Sequence, residues 1–220
     1  MNELSQLKDS LEQALRPAAL HRHRPQARTW QYKFSPSLSY GRHFACPLPG
    51  HKPAAVLIII ERGRLASSPE ELTIPLCLRP QHLPDHPGQV SLPGGRLERD
   101  ESAQQAALRE FEEETGSTCC ANAIVGKLSP IYVFNSGYLV TPFVAIRDAP
   151  RVPYAPCQHE VQRLIHLPVS VLLDTNSHAE RDFSRGQVSW SARCIDIEGI
   201  AVWGATAIIL GELIDCWPQN

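Results

Sequence analysis

The chain has 220 residues, 43% of them apolar and 20% charged, with a net charge of −2. That is enough apolar material for one domain with additions at both ends, and too little charge imbalance to favour a nucleic-acid or membrane partner. No apolar run approaches the ~20 residues that span a bilayer. Residues 1–17 show no apolar core of a signal peptide, and Glu3, Asp9 and Glu12 argue against a transit peptide, so the expected location is cytoplasmic.

In chain order, Leu4, Leu7, Leu11, Ala14 and Leu15 repeat at helical spacing, which predicts an amphipathic helix over residues 3–15. Such a helix packs on its own domain or on a second subunit, as in a homodimer. Residues 17–53, rich in Pro, His and Arg, read as an irregular lead-in packed on the domain, with room for short strands. The basic tract at residues 21–24 reads as solvated. Residues 54–60 form a near-continuous β-branched run, hence a strand buried on both faces. Residues 72–79 predict a second strand, confined by Pro75 to an edge or an irregularity.

Beyond a loop over residues 80–93, short strands are expected at 123–128 and 131–133, and a stronger one at 138–146 interrupted by Pro142. A strand at 161–167 and a short helix at 168–173 follow. Residues 187–194 and 195–202 read as a hairpin turning near Glu198 and Gly199, and residues 205–216 as a closing helix. The organisation is thus an extension over 1–53 and a domain over 54–216. Strands broken by a central and a final helix suit an α/β/α sandwich around a mixed sheet. The seven cysteines are odd in number, scattered and without a Cys-x-x-Cys, so they read as reduced, mostly buried thiols.

The chemistry concentrates in residues 95–116. Gly95 is followed after five residues by Glu101, and after seven more by Arg109-Glu110-Phe111-Glu112-Glu113-Glu114-Thr115-Gly116. Ser102 and Gln105 make a capping box, and Gly116 can close the helix as its left-handed terminal residue. On this helix Glu110, Glu113 and Glu114 stand at i, i+3 and i+4, so their carboxylates converge and repel. A cluster of hard oxygen ligands suits Mg²⁺ or Mn²⁺, which relieves that repulsion.

This run resembles the Nudix box, the signature of hydrolases that cleave a nucleoside diphosphate linked to another group. The charged and glycine positions match. Phe111 replaces an aliphatic residue, and Ser117 is polar where an aliphatic one is expected. The fold implied is the Nudix α/β/α sandwich. Flanking segments resemble the coenzyme A diphosphatase branch. They are Leu76-Cys77-Leu78-Arg79 and Gly88-Gln89-Val90-Ser91-Leu92-Pro93-Gly94-Gly95, then Gly137-Tyr138-Leu139-Val140-Thr141-Pro142, His159-Glu160-Val161 and Val202-Trp203-Gly204-Ala205-Thr206. Cys77, Pro80, Pro84 and Leu92 depart from that branch's pattern, and Pro84 stands where an arginine could hold a phosphate.

The resemblance implies metal ligation by Glu110 and Glu114, with Glu113 serving another ion and Gly95 offering its backbone carbonyl. It implies a general base outside the box, for which Glu160 is the foremost candidate and Glu113 or Glu110 the substitutes. Arg79 and Gly94 are candidate substrate contacts. Arg109 is another, though an ion pair with Glu101 suits it better. The substrate implied is coenzyme A or a derivative. ADP-ribose, a nucleoside diphosphate sugar or a dinucleotide polyphosphate are the alternatives, and a silent nucleotide-binding module is a third reading.

Overall fold

The computed structural model describes residues 3–16, 29–62, 71–82, 86–148 and 153–218; the basic tract at 21–24 lies outside them. In chain order the elements are α1 (Glu3–Ala14), α2 (Thr29–Phe34), β1 (Lys52–Arg62), β2 (Leu72–Leu78), β3 (Val90–Ser91), β4 (Gly94–Arg96) and α3 (Ala103–Thr115). Then come β5 (Ile124–Lys127), β6 (Ile131–Val133), β7 (Tyr138–Arg147), β8 (Arg163–Pro168), α4 (Val169–Leu173), β9 (His178–Arg185), β10 (Val188–Ile197), β11 (Ile200–Val202) and α5 (Ala205–Cys216).

The central sheet is mixed. β1 runs parallel to β7 from Lys52 opposite Tyr138 to Glu61 opposite Arg147, and antiparallel to β4 and β2. β2 carries β8 and β3, while β7 carries β5 and β6. Side-chain alternation divides the core in two. Ala55, Leu57, Ile59, Phe143 and Ala145 face α3 through Ala106, Ala107 and Phe111. Ile58, Ile60, Val144 and Ile146 face the opposite layer, where α5 contributes Ile208, Leu210 and Leu213. This is the expected sandwich, and it explains why β1 reads as apolar without alternation.

Two prolines sit inside strands without breaking them. Pro75 lies between the part of β2 that pairs with β1 (Leu72, Thr73) and the part that pairs with β3 (Cys77, Leu78). Pro142 lies between the β7 residues paired with β6 and those paired with β5. A missing N–H costs least where a strand changes neighbours. β7 is therefore continuous, where an interruption was expected.

Three further expectations need correction. The predicted hairpin turns at Glu198 and Gly199 as expected, but β10 is one long strand whose main partner is β9, with Phe183 opposite Trp190. β9, HAERDFSR, is polar and largely exposed, so apolar alternation could not reveal it. Residues 29–51 hold α2 and two 3-10 turns rather than strands. α2 packs so closely on α5 that a side chain on Gly211 would collide with the backbone of Trp30 and Gln31. Of the free thiols, Cys77, Cys194 and Cys216 are buried, while Cys46 and Cys120 are exposed.

The amphipathic helix α1 uses its apolar face on its own chain. Leu4, Leu11 and Leu15 are buried in the main core, and Leu15 presses on Gly126 of β5.

Candidate active site

α3 begins at the predicted capping box, with Gln105 N–H donating to Ser102 Oγ and Ser102 N–H to Gln105 Oε1. It ends at Gly116 in left-handed conformation, φ 68°. Its Ala106, Ala107 and Phe111 stripe is fixed on the sheet. That rotation sets Glu110 and Glu114, one turn apart, against β4 and the end of β2.

The contact with β4 is tight. A Cβ on Gly95 would lie 2.4–2.5 Å from the carboxyl atoms of Glu110. A Cβ on Gly94 would lie 2.3 Å from Ala55 O and 2.6 Å from Val56 Cα, at a φ of +153°. At Gly94 only glycine fits, because the obstacle is backbone; at Gly95 any side chain would displace the Glu110 carboxylate. Glu114, 6% exposed, accepts the Gly94 N–H at Oε2 (3.1 Å), and the Cys77 thiol lies 3.7 Å from the same oxygen. Loss of water pushes the Glu114 carboxyl up to about 7, with the charges of Glu110 and Glu160 adding to the rise and Gly94 and Arg79 opposing it. Glu110 is also raised, first by burial and then by Glu113 and Glu160, against Arg109.

Glu160 reaches this site through a loop stitched to the end of α3. Ala155 N–H donates to Thr115 O (2.9 Å), Cys157 N–H to Glu114 O (3.0 Å) and Glu160 N–H to Cys157 O (3.0 Å). Glu110, Glu114, Glu160, Arg79, Gly94 and Gly95 are thus brought together from four segments. Glu113 stands at the rim of this cluster: its side chain is 57% exposed, its charge reaches Glu110, and it shares the Arg109 Nη1 donor with Glu110 (3.0 Å each).

Arg109 spends all five of its N–H donors inside the protein. Nε and Nη2 grip Glu101 (2.9 and 3.0 Å), Nη1 serves Glu110 and Glu113, and Nη2 also reaches Arg96 O (3.0 Å). The ion pair with Glu101 ties the loop before α3 to the helix, and a substrate contact would require giving up one of these bonds.

Sequence reasoning missed a second network behind the site. Glu61, 1% exposed, receives Arg147 Nε (2.6 Å) and Tyr154 O–H (2.7 Å). Arg147 Nη1 also donates to Thr118 O (2.6 Å), and Nη2 to Tyr154 Oη (2.7 Å). The two departures from the Nudix pattern meet here. The Arg147 guanidinium lies 5.5 Å from the Phe111 ring centroid and 3.5 Å from Ser117 Oγ. Buried Ser117 is polar because an arginine needs it, and the bulk of Phe111 covers that cation. A lone glutamate closing the run Ile58-Ile59-Ile60 was the one available signal.

Among the described residues, no three His, Cys, Asp or Glu side chains stand close enough to enclose a metal ion by themselves. A hard cation such as Mg²⁺ does not need such a cage; it is commonly held by one or two carboxylates together with water and substrate phosphates. Glu110 and Glu114 are such a pair: adjacent turns of one helix, with both carboxyls pushed up by burial first and by neighbouring carboxylates second. The donor set fits a divalent cation held with substrate. No helix among the described residues is long and apolar enough to cross a membrane.

Comparison with known proteins agrees with this geometry. The NUDIX domain pattern matches residues 51–185. The chain is 37% identical over 164 residues to the uncharacterized Nudix hydrolase NudL of Escherichia coli K12, covering 74% of this chain and 81% of that one. It is 34% identical over 144 residues to NudL of Yersinia pestis, covering 65% and 71%. The fold is similar to that of a MutT/nudix family protein from Enterococcus faecalis, with a TM-score of 0.54 at 14% identity over 87% of this chain and 73% of that one. A capped acidic helix set on a glycine strand inside a mixed α/β/α sandwich, matched by sequence over more than half its length, places this chain in the family of Nudix hydrolases.

Proposed function

We propose that the chain hydrolyses the diphosphate bond of coenzyme A or an acylated or oxidised form of it, giving 4′-phosphopantetheine (or its derivative) and adenosine 3′,5′-bisphosphate. The observation that carries this reading is the segment Leu76–Gly95. It keeps the coenzyme A diphosphatase register from Arg79 through Gly88 to Gly95 without a gap, and it delivers Gly94 to Glu114 and Gly95 to Glu110.

In this reading Glu110 and Glu114 hold Mg²⁺ or Mn²⁺, and Glu113 and the Gly95 carbonyl are the further candidate ligands. A bound divalent ion neutralises the phosphate oxygens and acidifies water. Glu160 takes the proton of the attacking water, since it is the carboxylate outside the helix whose charge reaches both Glu110 and Glu114. Arg79 offers its cation to a phosphate from the end of β2. Gly94 and Gly95 let the diphosphate approach the backbone without a side chain in the way. Gly94 N–H holds Oε2 of Glu114, and Oε1 would be the oxygen available to a cation. Arg109 keeps Glu110 in place rather than touching substrate.

A second reading, hydrolysis of ADP-ribose or a related nucleotide, rests on Pro80 and Pro84 standing where the coenzyme A pattern has Ser and Arg. The test is Mg²⁺- or Mn²⁺-dependent hydrolysis of coenzyme A beside ADP-ribose, with products identified by mass spectrometry. Release of 4′-phosphopantetheine supports the first reading. Cleavage of ADP-ribose alone replaces it with the second.

A further inference from the structure

Glu160, the carboxylate assigned to the attacking water, stands on a segment with no helix or strand of its own. From Pro153 to Gln162 the chain is irregular, and Glu160 is among its exposed residues. A general base contributes only when it is held within hydrogen-bond reach of the proton it takes, so a segment of this kind must be fixed from outside. Its backbone is tied to the end of α3 by Ala155 N–H and Cys157 N–H, and to β2 at its far end by Gln162 N–H donating to Leu78 O (2.8 Å). Gly116 allows the approach to α3, since a Cβ there would lie 2.4 Å from Ala155 O.

Tyr154 ties the near end of the segment to the central sheet. Its ring makes T-shaped contacts with Phe111 of α3 and His166 of β8, at 6.4 and 5.6 Å between centroids. Its hydroxyl donates to Glu61 Oε1 and accepts from Arg147 Nη2, both at 2.7 Å. Glu61 and Arg147 stand opposite each other across the parallel pairing of β1 and β7, so the hydroxyl is bound to both central strands at once. Apolar contact is non-directional and fixes how deep the ring sits. The two hydrogen bonds are directional and also fix how it is turned. Burial first, and the Glu61 charge second, push the Tyr154 phenol far up, so it stays a donor at any working pH.

The same cluster reaches the helix that carries the other carboxylates. Phe111 follows Glu110 directly, touches Tyr154, and lies 5.5 Å from the Arg147 guanidinium. Glu110 and Glu114 on one side and Glu160 on the other are thus set against a single packed unit.

We propose that Tyr154 is a positioning residue for hydrolysis: bound to the Glu61–Arg147 pair, it holds the segment 153–162 so that Glu160 faces the carboxylates of α3. The proposal rests on the reading of Glu160 as the general base and names what holds that base in place.

The test uses Tyr154→Phe in the full chain, a change that keeps the ring and removes the hydroxyl; Glu61 retains its bond to Arg147 Nε, so the fold should persist. Hydrogen exchange followed by mass spectrometry should quicken over residues 153–162 while α3 stays protected as in the parent. With coenzyme A, or the substrate the panel identifies, kcat should fall about tenfold, a part of what a positioned base supplies, with KM and Mg²⁺ dependence within about twofold. Because Tyr154 acts through Glu160, the two changes should not multiply: in a Glu160→Gln chain, Tyr154→Phe should alter kcat by less than about twofold. A merely structural tyrosine would slow both backgrounds by the same factor. That equal fall, a parental kcat in Tyr154→Phe or unchanged exchange over 153–162 overturns the proposal, while a large loss in Glu160→Gln alone leaves the general-base reading standing. A parental kcat in Glu160→Gln overturns that reading instead, and the catalytic role of Tyr154 falls with it.

Discussion

Gly95→Ala tests the site by adding a single methyl group. Its Cβ would stand 2.4 Å from Cδ and Oε1 of Glu110 and 2.5 Å from Oε2, and the obstacle is the end of a flexible side chain rather than backbone. The carboxyl must retreat about 1 Å to reach ordinary contact, and a misplacement of that size costs on the order of 10²-fold in rate, or ~2.7 kcal/mol of barrier. Fold stability should change little, since Gly95 φ is not in the left-handed region. The assay is hydrolysis of coenzyme A (or the substrate the panel identifies) across a Mg²⁺ titration, with thermal melting in parallel. Gly94→Ala is the control of opposite character. Its Cβ meets backbone at 2.3 and 2.6 Å with φ at +153°, so it should lower Tm markedly, by strain on the order of 1–3 kcal/mol before the clash is counted. A Gly95→Ala enzyme with parental kcat at every Mg²⁺ concentration would refute the placement of Glu110 in the chemistry. A large fall in Tm would refute the claim that only the side chain moves.

Glu114→Gln should cut turnover by at least ~10²-fold while retaining the fold, checked by steady-state kinetics and melting. The same residue gives a pH signature in metal-free protein. Its folded carboxyl sits at about 7 against 4.5 for the ordinary group, so the folded state holds more protons than the unfolded state between those values. Stability therefore falls as pH rises through that window, by up to about 3 kcal/mol. Chelated parent chain should lose stability from pH 4.5 to 7 relative to Glu114→Gln, and parallel urea curves for the two would exclude it. Glu160→Gln, at an exposed position, should lower kcat by ~10²-fold or more with Tm unchanged; parental kcat would return the general base to Glu113 or Glu110. Arg147→Met strands the carboxylate of Glu61, whose side chain is 2% exposed, and should cost about 3–5 kcal/mol in denaturant unfolding. A loss below 1 kcal/mol would mean that Glu61 is neutral in the fold.

Much of this protein could be read from local pattern. The capping box at Ser102, the stop at Gly116, the buried β1 and the amphipathic α1 each depend on residues within a few positions of one another, so spacing alone located them. The box also predicted that Glu110 and Glu114 share a face. Spacing could not predict that Glu114 is buried while Glu113 keeps 57% of its side chain exposed, because that depends on which segments pack against the helix. The polar strand β9 escaped because its partner β10 stabilises it through backbone hydrogen bonds rather than through an apolar face of its own.

By itself, then, the sequence determined the helix that carries the carboxylates, the glycines that meet it and the family of the fold, because each is encoded at short range. Only the tertiary structure decided which carboxylates are buried together, how Glu160 is brought to them, and why Phe111 and Ser117 differ from the family pattern: both serve Arg147, 36 and 30 residues further on. Desolvation and long-range ion pairing depend on which segments meet in space. Only the packed sheet brings Glu61, Arg147 and Tyr154 within hydrogen-bond distance.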